Sequence, residues 1–140
     1  MKRSANAVWK GDLKSGTGVL STDSGVLDNT QYSFKTRFED GKGTNPEELI
    51  GVAHAGCFAM AFSMILGEAG YTPNKLDAKA QVTLAEKDGG FAITDIHLTL
   101  KADIDDIDDS EFQKLANDAK QGCPVSKVLN ANIHLDATLN

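Results

Sequence analysis

At 140 residues the chain amounts to a single domain, 1–140, with enough sequence to bury a sizeable core. Its 20 acidic residues against 14 basic ones give a net charge of -6, and Lys35, Lys75, Lys79, Lys120 and Lys127 are scattered rather than run together. Nucleic acid and anionic membrane surfaces both need a basic face, so neither is expected as a partner.

Met1-Lys2-Arg3-Ser4-Ala5-Asn6-Ala7-Val8-Trp9 carries positive charge with no apolar run behind it, which is not the form of a secretory signal. The expected location is the cytoplasm. There, two cysteines are read as free, metal-binding or redox-active rather than as a permanent structural disulfide. Residues 5–13 and 17–27 carry Val8, Trp9, Leu13, Val19, Leu20 and Val26 around Lys14-Ser15-Gly16-Thr17-Gly18, the pattern of a hairpin. Residues 32–38 alternate Tyr32, Phe34, Thr36 and Phe38 with Ser33, Lys35 and Arg37, which predicts a third strand with one apolar face and Arg37 near its end. By composition alone Arg37 is a solvated surface arginine.

The long segment that follows is the centre of the chain. Asn45 can cap a helix, Pro46 suits its first position, and Glu47 and Glu48 set negative charge against the helix dipole. From residue 49 to residue 66 apolar and small side chains occupy nearly every face, so the helix must be covered all round by protein. Gly51, His54, Gly56, Cys57 and Ser63 interrupt the run and argue against a bilayer span. The helix should stop near residues 67–70, with Pro73 beyond.

Residues 75–86 and 91–102 then predict a strand pair turning at Asp88-Gly89-Gly90. The acidic stretch 103–109 lacks the glycine and glutamate of an EF-hand loop and is read as an exposed linker. A helix is expected from about Ser110, with Phe112, Leu115, Ala116 and Ala119 on one face and Gly122 at its end; Cys123-Pro124 opens a second one, and residues 131–139 alternate as a strand. The order β-β-β-α-β-β-α-α-β implies an α+β fold, a mainly antiparallel sheet packed on a central buried helix that carries Cys57.

The candidates for chemistry are Cys57, Cys123, His54, Arg37, Glu47 and Glu48. On physical grounds Cys123 is the easier thiol to activate, because a helix N-terminus stabilises a thiolate. Cys57 sits mid-helix among apolar residues, where its pKa rises unless a cation is brought to it. Arginine suits that task, with a carboxylate to hold the guanidinium. His54 precedes Cys57 by three residues, but a Cys/His dyad for acyl transfer lacks a third group to orient the imidazole; a packed or hydrogen-bonded core histidine is favoured. Zinc held by His54, Cys57, Cys123 and one of His97 or His134 lacks any Cys-x-x-Cys or His-Glu-x-x-His spacing, so no metal and no cofactor are expected.

Thr44-Asn45-Pro46-Glu47-Glu48-Leu49, Ala53-His54-Ala55-Gly56-Cys57-Phe58, Gly67-Glu68-Ala69-Gly70 and Gly122-Cys123-Pro124-Val125-Ser126 closely resemble the OsmC branch of the OsmC/Ohr family of thiol peroxidases. Trp9-Lys10-Gly11-Asp12, Ser21-Thr22-Asp23-Ser24-Gly25-Val26-Leu27 and Thr36-Arg37-Phe38-Glu39 match as well, so the resemblance covers essentially the whole chain. It implies an intertwined homodimer in which Cys57 is the peroxidatic cysteine and Cys123 resolves it, with Arg37 and Glu47 as the activating pair. This reverses the ranking of the two thiols reached from the residues alone. It further implies reduction of organic hydroperoxides, and more weakly of hydrogen peroxide, through a Cys57 sulfenic acid and a Cys57–Cys123 disulfide, in oxidative or osmotic stress defence. Leu49, Phe58, Met60 and Phe62 would make the substrate pocket apolar. An external dithiol, lipoyl-type or thioredoxin-like, must reduce the disulfide. The alternative is a non-catalytic, stress-induced ligand-binding or structural dimer whose cysteines only pack. Glu47 lies ten residues before Cys57, about 15 Å along a continuous helix. Either the helix breaks near Gly51 or the partner subunit supplies the glutamate; the partner is favoured.

Overall fold

The computed structural model describes residues 1–140, which fall into two compact units, Met1–Leu49 and Ile50–Asn140. In the first unit β1 (Ala5–Lys10), β2 (Thr17–Thr22) and β3 (Thr30–Tyr32) form an antiparallel sheet in the order β1-β2-β3. The first two strands are shorter than their apolar residues suggest, and turns at their ends are the cause. The Asp12 carboxylate accepts the Lys14 and Ser15 N–H groups at 2.9 Å each, bending the chain away from β1. Beyond β2, the Gly25 N–H closes a turn onto the Thr22 carbonyl at 2.9 Å.

The strand expected over residues 32–38 is not formed. After β3 the chain enters a short helix, α1 (Phe34–Phe38), so Arg37 stands on a helix and not on a strand. The local reason is a capping box: Ser33 Oγ accepts from the Thr36 N–H at 3.3 Å, and the Ser33 N–H donates to Thr36 Oγ1 at 2.8 Å. Phe34 and Phe38, four apart, pack with their rings tilted and centroids 4.9 Å apart, so the pair that looked like alternate strand residues is equally a helical i, i+4 pair.

The central helix α2 runs unbroken over Pro46–Glu68, through Gly51. Asn45 caps it as expected, its Oδ1 accepting from the Glu48 N–H at 2.8 Å. By length and composition α2 could cross a membrane; His54, Phe58, Phe62 and Leu66 are fully buried along one side of it, while Val52, Met60 and Met64 on the other are exposed.

In the second unit β4 (Pro73–Lys87) and β5 (Gly90–Ile104) form a long antiparallel hairpin joined by Asp88 and Gly89. Both turn residues have positive φ, 52° and 79°, the requirement that makes Asp-Gly the favoured pair in a two-residue hairpin. The chain then crosses over through α3 (Asp109–Gly122) and α4 (Pro124–Val128), and β6 (Asn132–Leu139) adds parallel to β5. Ile96, Leu98, Leu100, Ala102 and Ile104 point alternately from β5 into the core. There they meet Phe58, Phe62 and Leu66 of α2 and Phe112, Leu115, Ala116 and Ala119 of α3. This layer of helices on one sheet face fixes where Cys57 and Cys123 lie.

Candidate active site

The two cysteines, 66 residues apart in sequence, meet in the second unit with their Sγ atoms 2.7 Å apart. Both are free thiols, Cys57 half-buried and Cys123 fully buried. Cys57 is placed by the middle of α2. Cys123 is placed by the joint between two helices: its N–H still bonds to the Ala119 carbonyl at 2.9 Å, closing α3, while its own carbonyl accepts from Lys127 at 3.1 Å and so opens α4. Pro124 at the first position of α4 has no N–H to lose, which lets the chain turn sharply there.

That turn also brings the Val125 N–H to the Cys57 sulfur, where it favours the thiolate. Burial and the Cys123 thiol push Cys57 above the ordinary thiol range, and the Val125 N–H pulls it back only in part. The net effect favours the protonated thiol. A nearby cation would shift the balance toward the thiolate.

His54 is fully buried one turn before Cys57, and its Nε2 lies 2.7 Å from Ser126 Oγ on α4. Its Nδ1 is buried without a partner. We place the proton on Nε2, donating to Ser126, because the other tautomer would bury an orphaned N–H. Burial lowers the imidazole's pKa, so the ring is neutral. His54 is thus the hydrogen-bonded core histidine the sequence suggested. The partner, Ser126, was not singled out, and neither was Val125: both lie beside Cys123 in sequence but reach α2 only through the tertiary fold.

In the first unit Arg37 and Glu47 form an ion pair. Arg37 donates from Nε at 3.1 Å and Nη2 at 2.8 Å to the same carboxylate oxygen, Glu47 Oε1. Glu47 is 9% exposed, and the guanidinium packs 5.5 Å from the Phe38 ring centroid. Glu48 is tied up differently, accepting from Thr44 Oγ1 at 2.7 Å. Of the residues expected around a substrate, Phe58 and Phe62 are fully buried in the core, with Phe62 edge-on to Phe112 at 5.8 Å; Leu49 is half-buried and Met60 is 77% exposed. No group of three or more His, Cys, Asp or Glu side chains is arranged to hold a metal ion.

The family model described as OsmC-like protein matches residues 39–138. The chain is 54% identical over 137 residues to the Peroxiredoxin OsmC of Escherichia coli (strain K12), covering 98% of this chain and 96% of that one. It is 31% identical over 123 residues to the Organic hydroperoxide resistance protein OhrB of Bacillus subtilis (strain 168), covering 87% and 88%. The crystal structure of OhrB from Bacillus subtilis matches with a TM-score of 0.71 at 28% identity, over 96% of this chain and 98% of that one. An OsmC-like protein from Mycoplasma pneumoniae gives 0.75 at 18% identity, over 99% and 97%, and speaks for the fold. With two facing thiols on an OsmC-type α+β framework and a family match spanning both of them, this chain belongs to the OsmC-like protein family.

Proposed function

We propose that this member of a thiol-peroxidase family reduces hydroperoxides through a two-cysteine cycle, as an oxidoreductase of peroxide stress defence. The observation that carries it is the 2.7 Å approach of Cys57 and Cys123 across 66 residues of chain. Cys57 thiolate attacks the distal oxygen of ROOH; the O–O bond breaks, RO⁻ leaves and takes up a proton as ROH, and Cys57 is oxidised to sulfenic acid. The Cys123 sulfur then attacks Cys57, its thiol proton leaves with the sulfenic hydroxyl as water, and a Cys57–Cys123 disulfide forms. An external dithiol, lipoyl-type or thioredoxin-like, returns both thiols by exchange and is itself oxidised to a disulfide. The cytoplasm, which keeps thiols reduced, is the proposed setting.

Activation of Cys57 is assigned to Arg37, held in place by Glu47, and the pair that serves each thiol is assigned to the partner subunit of a homodimer. Two observations support this. The helix is unbroken through Gly51, so ten residues of rise, about 15 Å, separate Glu47 from Cys57 along it. And α2 keeps an uncharged face uncovered in the single chain, with Val52 67%, Met60 77% and Met64 61% exposed beside the small residues Ala53, Gly56 and Ser63. Such a face calls for protein cover. Cover by a second copy would give Cys57 an apolar approach, Met60 and Leu49 included, that favours organic hydroperoxides over hydrogen peroxide. Thiol counting after one equivalent of cumene hydroperoxide tests the cycle: loss of both thiols to one intramolecular disulfide is expected, and inert thiols would instead support a non-catalytic binding or structural dimer.

A further inference from the structure

Cys57 meets the α4 turn through its own sulfur, by the 2.7 Å contact with Cys123 and the Val125 N–H. Both contacts change as the chemistry proceeds. Oxidation puts an oxygen on the Cys57 sulfur, so the close sulfur–sulfur approach must open to admit it, and the Val125 N–H then faces a different group. The contact between His54 Nε2 and Ser126 Oγ, 2.7 Å long, joins the same two elements without involving either thiol.

We infer that the His54–Ser126 hydrogen bond is a positioning clamp for resolution: it keeps the Cys123 turn docked on α2 during the interval in which Cys57 is sulfenic acid. The inference rests on the two-cysteine cycle proposed above. Its chemical logic is that the sulfenic acid has two fates, condensation with Cys123 or attack on a second peroxide to give sulfinic acid, and the docked fraction of Cys123 decides between them. The placement of the two residues suits this role. His54 is one turn from Cys57 on the same rigid helix, and Ser126 is three residues from Cys123 on the short helix that Cys123 caps. The ring is fully buried, and Nδ1 has no partner, so Ser126 is its one polar tether. A leucine would fill that space without burying an unpaired nitrogen. An imidazole that packs there and reaches across to α4 is accounted for by the reach and not by the packing.

The test is rapid quenching of the reduced, full-length protein with cumene hydroperoxide, followed by intact mass analysis with and without dimedone. Ser126→Ala removes the acceptor at little cost in volume. Its sulfenic acid should persist roughly two- to tenfold longer than in the wild type, the range expected for loss of one hydrogen bond. The fraction ending as sulfinic acid at a fixed excess of peroxide should rise in step, while the rate of the first oxidation stays within about twofold of the wild type. Ser126→Thr, which keeps the hydroxyl, should restore the wild-type partition. His54→Gln can still reach Ser126 and should resolve faster than His54→Leu; should His54→Leu fail to fold, the two Ser126 variants decide the matter. A merely structural role would lower the melting temperature and slow both steps together, and that pattern would overturn the inference, as would wild-type partition in Ser126→Ala. If the wild type itself forms no Cys57–Cys123 disulfide, the underlying cycle is wrong and the clamp falls with it.

Discussion

A mixed dimer separates a shared site from a self-contained one. One chain carries Cys57→Ser and a first affinity tag; the other carries Glu47→Ala and a second, so tandem purification yields only the heterodimer. Glu47→Ala removes the single carboxylate oxygen that accepts both Arg37 donors, at 3.1 and 2.8 Å, and leaves the guanidinium unheld. The magnitude follows from the unbroken α2, along which Glu47 lies about 15 Å from Cys57, several times the reach of its side chain. If each thiol draws Arg37 and Glu47 from the partner, the Cys57 of the Glu47→Ala chain meets an intact pair on the Cys57→Ser chain, and the other site is dead. Peroxide consumption with a dithiol reductant should then be about half that of the wild-type dimer, for independent sites related by a two-fold axis. Each variant's own homodimer should be inactive or nearly so. If each site draws only on its own chain, both sites of the mixed dimer are broken, and an inert heterodimer refutes the placement of Glu47.

Arg37→Met should raise the apparent pKa for peroxide attack and slow it by tenfold or more at pH 7, with Arg37→Lys a poor rescue because lysine lacks the planar, multi-donor fork; stopped-flow rates against pH check this, and an unchanged profile would return Arg37 to the surface. For His54 the sign runs one way: burial depresses its pKa, so below the ordinary value of about 6.5 the unfolded chain takes up a proton that the native state refuses. Stability is therefore flat in this group above pH 6.5 and should fall by up to about 1.4 kcal/mol per pH unit below it, until the folded pKa is reached; urea midpoints at pH 7 and pH 5 should converge in His54→Gln. Phe62→Ala, which empties a fully buried site between Phe58 and Phe112, should cost about 3 to 5 kcal/mol in urea unfolding, and a loss below about 1 kcal/mol would contradict the core described here.

What could be read from the sequence was what local chemistry dictates. The α2 start was legible because Asn45, Pro46, Glu47 and Glu48 each answer a separate need of a helix N-terminus. The β4–β5 turn was legible because two consecutive positive φ angles demand residues like Asp88 and Gly89. Residues 32–38 misled because aromatic residues at 34 and 38 satisfy both a period of two and an i, i+4 spacing; the Ser33–Thr36 capping box decides between them and is easily passed over between aromatics. The site was harder. Cys123 at a helix cap outranks Cys57 for acidity when residues are weighed singly, and only the resemblance to a family reversed that order. The facing of the two sulfurs, the Val125 N–H and the Ser126 hydroxyl are products of packing α4 on α2, with nothing local to announce them.

The same packing explains why activation would be divided between subunits. A thiol in an apolar helix has a low intrinsic tendency to ionise, and burial and a neighbouring thiol, against one backbone N–H, shift Cys57 further toward the protonated form. Under the proposed activation that would be a safe resting condition, because an unassembled chain would offer no thiolate to stray oxidants. The Arg37–Glu47 pair, if it arrives with a second copy over the exposed Val52, Met60 and Met64 face, supplies the charge only where that face is covered and water is excluded, which is where a guanidinium acts most strongly on a sulfur. Reactivity is then tied to assembly. Peroxidase rate per chain should fall on dilution through the dimer dissociation range, while an Arg37→Met dimer should show no such dependence, having no charge to gain from assembling.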